Sequence, residues 1–370
     1  MRKRVAGIMR VKNEGVFIRD CIASCIDALD ELVVVYNDCT DNSVEEIEKM
    51  AAKYPEKIRH YAYPYGVKAF NLTREEFEEL RDAPEDDPRL FSTYSNFALS
   101  KVTADYVLKI DADQIYFTVK LKEWCDFLRR SKPEPMTLKV VGGKLFQCYL
   151  SVYRRLSTQT GAVLPMMPSW LLKLAYPAYL SYAKYAFLHD QAAMALSGVN
   201  VLETDETLIS MGHSSDLLLM LSPFNGVGDT IIFKMSDKVR FHRVVMEQYN
   251  RSSFSVTEGF IHPYKSLTFI GFFWKHVRTM RPGVLEKAKA AYACDQEAFL
   301  NISRFRELSY RCILKHSPQN IFLPFHRILF GFVYKANKKD LFDSLKNEPI
   351  GGAIKKSKAN DKNFCNSTCL

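Results

Sequence analysis

Two carboxylates one residue apart close an apolar run at Lys109-Ile110-Asp111-Ala112-Asp113-Gln114. Alternate residues of an extended chain face the same side, so Asp111 and Asp113 can address one ligand. Carboxylates that close repel each other unless a cation or hydrogen-bond donors stand between them. A hard divalent ion, Mg2+ or Mn2+, meets that need, since it commonly takes one or two carboxylates and completes its shell with phosphate oxygens. The chemistry suggested is the handling of a diphosphate. A second polar cluster, Tyr36-Asn37-Asp38-Cys39-Thr40-Asp41-Asn42-Ser43, follows another apolar run. Asp38 or Asp41 there can accept hydrogen bonds from a uracil or ribose, while a turn with a helix cap accounts equally for Ser43 and Asp41. Arg10-Val11-Lys12-Asn13-Glu14-Gly15 makes a third cluster. The chain has no glycine-rich phosphate cradle of the GxGxxG or Walker kind, so a metal is expected to neutralise the diphosphate.

Strands must hold these clusters. Val5 to Val11, Leu32 to Tyr36, Ile58 to Ala62 and Tyr106 to Ile110 read as strands. Val16 to Leu29 carries apolar residues at helical spacing, and Ser43 followed by Glu46 has the pattern of a capping box. Thr73 to Arg89 is acidic and broken by proline, a solvated loop or short helix, and Ser92 to Lys101 reads as a helix. Such alternation predicts an α/β fold with a mainly parallel sheet flanked by helices, whose ligands bind outside the carboxyl ends of the strands.

From Met136 the pattern loosens. Gly142-Gly143 interrupts a strand-like stretch, and Pro165, Pro168 and Pro177 break an uncharged region, which argues against a membrane-spanning helix. Trp170 to Leu188, with Lys173 and Lys184, reads as an apolar-aromatic helix that either packs in the core or faces a membrane. A similar pattern recurs over Ile321 to Lys339, and the Lys-, Asn- and Ser-rich tail beyond Ile350 is expected to be disordered.

Composition narrows the classes. Of 370 residues 47% are hydrophobic and 25% charged, which excludes a chain disordered throughout. The net charge of 51 − 42 = +9 suits anionic small molecules or a membrane surface. It is spread too thinly, with no basic helix face, for nucleic acid. Nine cysteines lie scattered without paired spacings and read as reduced thiols rather than a zinc site. The run Val5 to Val11 after Met1-Arg2-Lys3-Arg4 is too short for a signal peptide, so a cytoplasmic protein is expected.

Taken jointly, Arg-Val-Lys-Asn-Glu (10–14), Tyr-Asn-Asp-Cys-Thr-Asp-x-Ser (36–43) and Lys-Ile-Asp-x-Asp-x-Ile-Tyr (109–116) resemble the bacterial family-2 glycosyltransferases of GT-A fold. They are most similar to the β-1,4-N-acetylgalactosaminyltransferase-like enzymes of lipooligosaccharide and capsule assembly. The resemblance is clear over residues 4–125. Beyond that it continues in fragments, Gly228-Asp229-Thr230 and Thr257-Glu258 with His262.

What the resemblance implies is a metal-dependent, inverting transfer of a sugar from a UDP-sugar donor to a glycan or glycolipid acceptor of lipooligosaccharide, O-antigen or capsule. Asp111 and Asp113 would be the metal and diphosphate motif, with His262 a late ligand of Mn2+ or Mg2+. Arg10, Val11, Asn13, Glu14, Asn37, Asp38, Asp41, Lys109 and Asp111 would form the donor pocket. Glu258 would be the catalytic base, with Asp229 and Asp205 as rivals. One departure from the wider family is that its paired aspartates after the second strand are here Tyr36-Asn37-Asp38. The implied division is a nucleotide-sugar-binding half (1–135), an acceptor-binding half (136–263), a mostly helical acceptor- or membrane-facing region (264–349) and the tail (350–370). The basic, aromatic C-terminal half implies a peripheral place on the inner membrane. A sugar-nucleotide pyrophosphorylase would show a basic glycine-rich loop after the first strand, and a non-catalytic membrane scaffold would leave the three clusters unexplained. His213 and His242 read as structural.

Overall fold

The computed structural model describes residues 2–130, 135–160, 167–212, 222–225, 230–248, 253–315 and 324–347. The strands expected in the first third are β1 (Val5–Val11), β2 (Glu31–Tyr36), β3 (Ile58–Ala62) and β4 (Tyr106–Asp111). They pair in parallel in the order β3-β2-β1-β4. Every residue of β1 is buried, as a strand covered on both faces requires. Val5, Met9 and Val11 pack on one side, in a core shared with α1 (Ile18–Cys25), α2 (Ser43–Lys53) and α5 (Thr118–Arg130). Ile8 packs on the other, against Tyr94 and Ala98 of α4 (Phe91–Ser100). Strand alternation therefore sends Arg10 to the α4 side.

Two local expectations are corrected. Ser43 forms no capping box with Glu46: Asn42 holds the cap position of α2 without a side-chain hydrogen bond, and the Ser43 hydroxyl accepts from the Glu14 backbone amide and donates to Asp41. The capping box stands at Thr73 and Glu76, which start α3 (Arg74–Asp82) in the stretch that reads as solvated loop or short helix. Gly142-Gly143 does not interrupt a strand either. It lies within α6 (Leu138–Thr160), where a β-carbon on Gly143 would fall 2.0 Å from the Ala178 carbonyl oxygen of α7 (Ser169–Leu188). Only glycine permits that approach.

The remaining strands extend the sheet: β5 (Gln114–Tyr116), β6 (Ala192–Glu203), β7 (Thr207–Ser210), β8 (Thr230–Lys234), β11 (Ser266–His276) and β12 (Phe299–Asn301). The order along the path is β12-β7-β6-β8-β4-β1-β2-β3, and β11 pairs with both β5 and β6. β8 runs antiparallel to β4, with Leu108 beside Ile232 and Tyr106 beside Lys234. β9 (Arg240–Gln248) and β10 (Ser253–Ile261) form a separate antiparallel ribbon. Asn96 of α4 anchors it, exchanging two hydrogen bonds of 2.8 and 2.9 Å with the backbone of Phe241. The region after 263 carries helices α8 (Leu285–Cys294), α9 (Ile302–Glu307), α10 (Tyr310–Lys315) and α11 (Pro324–Asn347), and also supplies β11 and β12 to the sheet. No helix among the described residues is long and apolar enough to cross a membrane.

Candidate active site at the carboxyl ends of the parallel strands

The carboxyl ends of β1 and β4 lie side by side, Arg10 in register with Asp111. Arg10 reaches Asp111 at 3.2 Å, donates to the Ser95 hydroxyl at 2.6 Å and pairs with Glu258 of β10. Its guanidinium lies 4.7 Å from the centre of the Phe91 ring. Lys109 adds a second cation 3.5 Å from Glu258. Burial works against the charge on both members of the central pair. Glu258 and Asp111 nevertheless outweigh it to raise the pKa of Arg10, and Arg10 with Lys109 outweighs it to lower that of Glu258.

A second cluster gathers on Asp113. Its carboxylate meets Arg281 at 3.0 Å and His276 Nε2 at 3.3 Å, and Arg281 also pairs with Glu14. His276 Nδ1 lies 2.6 Å from the Asn200 amide oxygen, whose own amide donates to the Ser222 carbonyl, so both ring nitrogens face acceptors. Burial opposes ionisation of Asp113, but His276, Arg281 and Arg278 hold its carboxyl well below the usual range. Glu14 goes the other way. Burial, helped by Asp113, Asp111 and Asp41, pushes its carboxyl up to about 8 against the pull of Arg281. His276 and Arg281 were missed in the sequence, where His276-x-Arg278-x-x-Arg281 was the available signal.

The loops after β1 and β2 are tied together. Asp41 accepts from the Gly15 and Ser43 amides at 2.9 Å each, which, against the effect of burial, lowers its pKa. Asn13, with φ of 57°, accepts from the Thr40 amide at 2.7 Å. Val11 and Val35 share the Tyr94 hydroxyl. Asp41, Asn13 and Val11 therefore shape the crevice. Asp38, also at positive φ, is half exposed, with Lys12 3.6 Å away. Buried Asn37 keeps a side-chain amide with no partner. Further buried atoms without partners lie in the ion-pair clusters: Arg10 Nε, Glu14 Oε2, Glu258 Oε2 and Arg281 Nε.

His262 is not brought to this cluster in any described contact. Its ring packs between Phe260 and Tyr264 at 5.1 and 5.3 Å, and the histidine against Asp113 is His276. Asp205 is exposed in the turn between β6 and β7. Asp229 and His213 lie outside the described residues. His242 sits on β9 against Gly259, a structural place.

Among the described residues no three acidic, histidine or cysteine side chains form a ready-made metal cage. Magnesium and manganese do not require one, because two carboxylates and a diphosphate suffice. Asp111 fits that role, its side chain 36% exposed and held by a single ion pair.

The parallel strands with a polar, charged cluster at their carboxyl ends have the layout in which an open α/β sheet binds its ligands. Residues 4–151, from β1 into α6, match the family model described as Beta-1,4-N-acetylgalactosaminyltransferase (CgtA). No curated protein matches the chain. Among solved structures it is similar to glucosyl-3-phosphoglycerate synthase from Mycobacterium tuberculosis in complex with Mn2+, UDP and phosphoglyceric acid. The identity is 20% over 30% of this chain and 34% of that one, with a TM-score of 0.20. The same synthase with Mn2+, UDP-glucose and phosphoglyceric acid gives the same values. A further mycobacterial protein is 15% identical over 30% of this chain and 32% of its own, with a TM-score of 0.21. The chain spans about a third of the length of each of these structures.

Proposed function

We propose that the protein is a metal-dependent, inverting glycosyltransferase that moves a sugar from a UDP-sugar to a surface-glycan acceptor of the lipooligosaccharide, O-antigen or capsule kind. The observation that carries this reading is the set of buried polar atoms without partners at adjoining strand ends: Arg10 Nε, Glu14 Oε2, Asn37 Nδ2, Glu258 Oε2 and Arg281 Nε. Each such atom costs about 1–3 kcal/mol unless something bonds to it. A diphosphate-linked sugar offers the oxygens and hydroxyls that would. The matched family model, that of a sugar transferase, agrees in chemistry with that choice.

In this reading the uridine lies over the loops that follow β1 and β2. Asn37 and half-exposed Asp38 are the groups free to contact it, while Asp41 and Asn13 hold the loops in shape. Asp111 and Asp113 would hold the metal, which stabilises negative charge on the departing diphosphate. Arg281 and Arg278 stand beside Asp113 to meet the same charge. A carboxylate held low by Arg10 and Lys109 is ionised at neutral pH but is a weak proton acceptor. Glu258 therefore positions Arg10, and the acceptor hydroxyl gives its proton to Asp229. The enzyme would work on the cytoplasmic face of the inner membrane.

The test is UDP release from a panel of UDP-sugars with Mn2+ or Mg2+, comparing wild type with Asp111→Ala. Metal-dependent release that falls about a hundredfold or more in the folded variant is expected, the loss of charge stabilisation at a leaving group. No release and no thermal shift with any UDP-sugar would sink the reading in favour of a non-catalytic scaffold.

A further inference from the structure

The face of α6 turned away from the sheet carries an apolar stripe. Leu138, Val141, Leu145, Val152 and Leu156 recur at intervals of three, four and seven, so they share one side of the helix. All are exposed, Leu138 by 91%. Val140, Phe146, Leu150 and Tyr153 occupy the opposite side and are buried in the core. On the neighbouring helix α7, Trp170 and Leu174 stand one turn apart, 67% and 73% exposed. Core packing therefore explains one side of α6 and most of α7, and among the described residues it leaves this stripe with Trp170 and Leu174 exposed.

The charge around the stripe points to the occupant. From Pro135 to His189 the sequence has no aspartate or glutamate, while it has Lys139, Lys144, Arg154, Arg155, Lys173 and Lys184. Lys139, Lys144, Arg155 and Lys173 are exposed beside the apolar residues. A partner protein surface or a second copy would ask for acidic groups or a closed apolar fit. An apolar stripe with a tryptophan, flanked by cations alone, matches the boundary between anionic headgroups and acyl chains. No described helix is long and apolar enough to cross the bilayer, so contact would be along the surface.

We propose that α6 and the first turns of α7 form an amphipathic platform that lies on an anionic lipid surface. The proposal deepens the reading of an enzyme that works on glycolipid at a membrane. The test uses the full chain and needs no donor sugar: co-sedimentation with vesicles of phosphatidylcholine alone and of phosphatidylcholine with phosphatidylglycerol. Wild type is expected to bind only the anionic vesicles, and less at high salt. The variant Leu138→Ser/Leu145→Ser/Leu174→Ser should bind about tenfold more weakly or worse, since the apolar area it inserts is reduced. A second variant, Lys139→Ser/Lys144→Ser/Lys173→Ser, should lose the preference for anionic lipid while its far-ultraviolet spectrum stays that of wild type. Equal binding of variants and wild type would overturn the proposal. So would absence of wild-type binding, or a wild-type dimer in sedimentation that the serine variant converts to monomer. UDP release measured without vesicles reads the glycosyltransferase assignment separately, so failure of one is distinguishable from failure of the other.

Discussion

At the scale of the residue, Arg10 decides most. It is the cation that lets Glu258 and Asp111 meet at the end of β1, and it is 4% exposed at its side chain. Replacing it by alanine leaves Glu258 buried opposite Lys109 alone. Loss of one partner from a buried pair costs about 3–5 kcal/mol, so Arg10→Ala should unfold at a clearly lower denaturant midpoint than Arg10→Met/Glu258→Leu, which removes both charges. Urea melts of the two variants check this, and the order would be reversed if the pair contributed nothing. Glu14 offers a pH signature. Its carboxyl stands near 8 in the folded chain against 4.5 for an ordinary glutamate. The folded state therefore binds more protons than the unfolded state between those values, and stability contributed at low pH is lost as pH rises through that window. In the presence of a chelator, Glu14→Gln should flatten the fall and gain on the order of 3 kcal/mol over wild type at pH 9. Equal slopes in denaturation at pH 5 and pH 9 would show that the carboxyl titrates normally.

Elements show what was legible beforehand and why. The strands β1 (Val5–Val11) and β2 (Glu31–Tyr36) were readable because buried parallel strands are largely continuous apolar runs, and their ends announce themselves as sudden polarity. The α6–α7 pair was less readable. Gly142-Gly143 carries the ordinary sign of a broken strand, and only the contact with Ala178 on α7 shows that the glycine serves helix packing. Gly143→Val should accordingly lower the melting temperature by several degrees, about 2 kcal/mol or more of overpacking, while Gly142→Ala, with ordinary room at that position, should not. In the site, Asp111 and Asp113 stood out by sequence because both lie on one short segment. Their partners His276 and Arg281 did not, because a separation of more than 160 residues leaves no periodic trace. His262 drew notice by its neighbours Thr257 and Glu258, yet the strand β10 that delivers Glu258 to Arg10 carries His262 onward to Phe260 and Tyr264. Asp41 had two readings in the sequence, and its hydrogen bonds to Gly15 and Ser43 favour the turn.

At the scale of the molecule, the sheet is what joins the two ion-pair clusters. Elements before residue 117 supply Glu14, Asp111 and Asp113, and the turn after β11 supplies Arg281. A ligand that bonds to both halves should stabilise the whole chain in one transition. UDP with Mn2+ at about a hundred times its dissociation constant is expected to add about 2.7 kcal/mol, read as a rise in melting temperature that Asp111→Ala abolishes. Separate transitions for the two halves, with only one responding, would contradict a shared site.

The antiparallel seam between β4 and β8 has a consequence for the ribosome. β4 is complete once residue 111 has emerged, but the strand that closes its outer edge arrives more than a hundred residues later. Through that interval the nascent chain displays a row of unpaired amides and carbonyls along an apolar strand, the template on which foreign strands add. The same edge stays open for good in a fragment cut after residue 151. Such a fragment would need a chaperone or a solubilising fusion where the full chain does not.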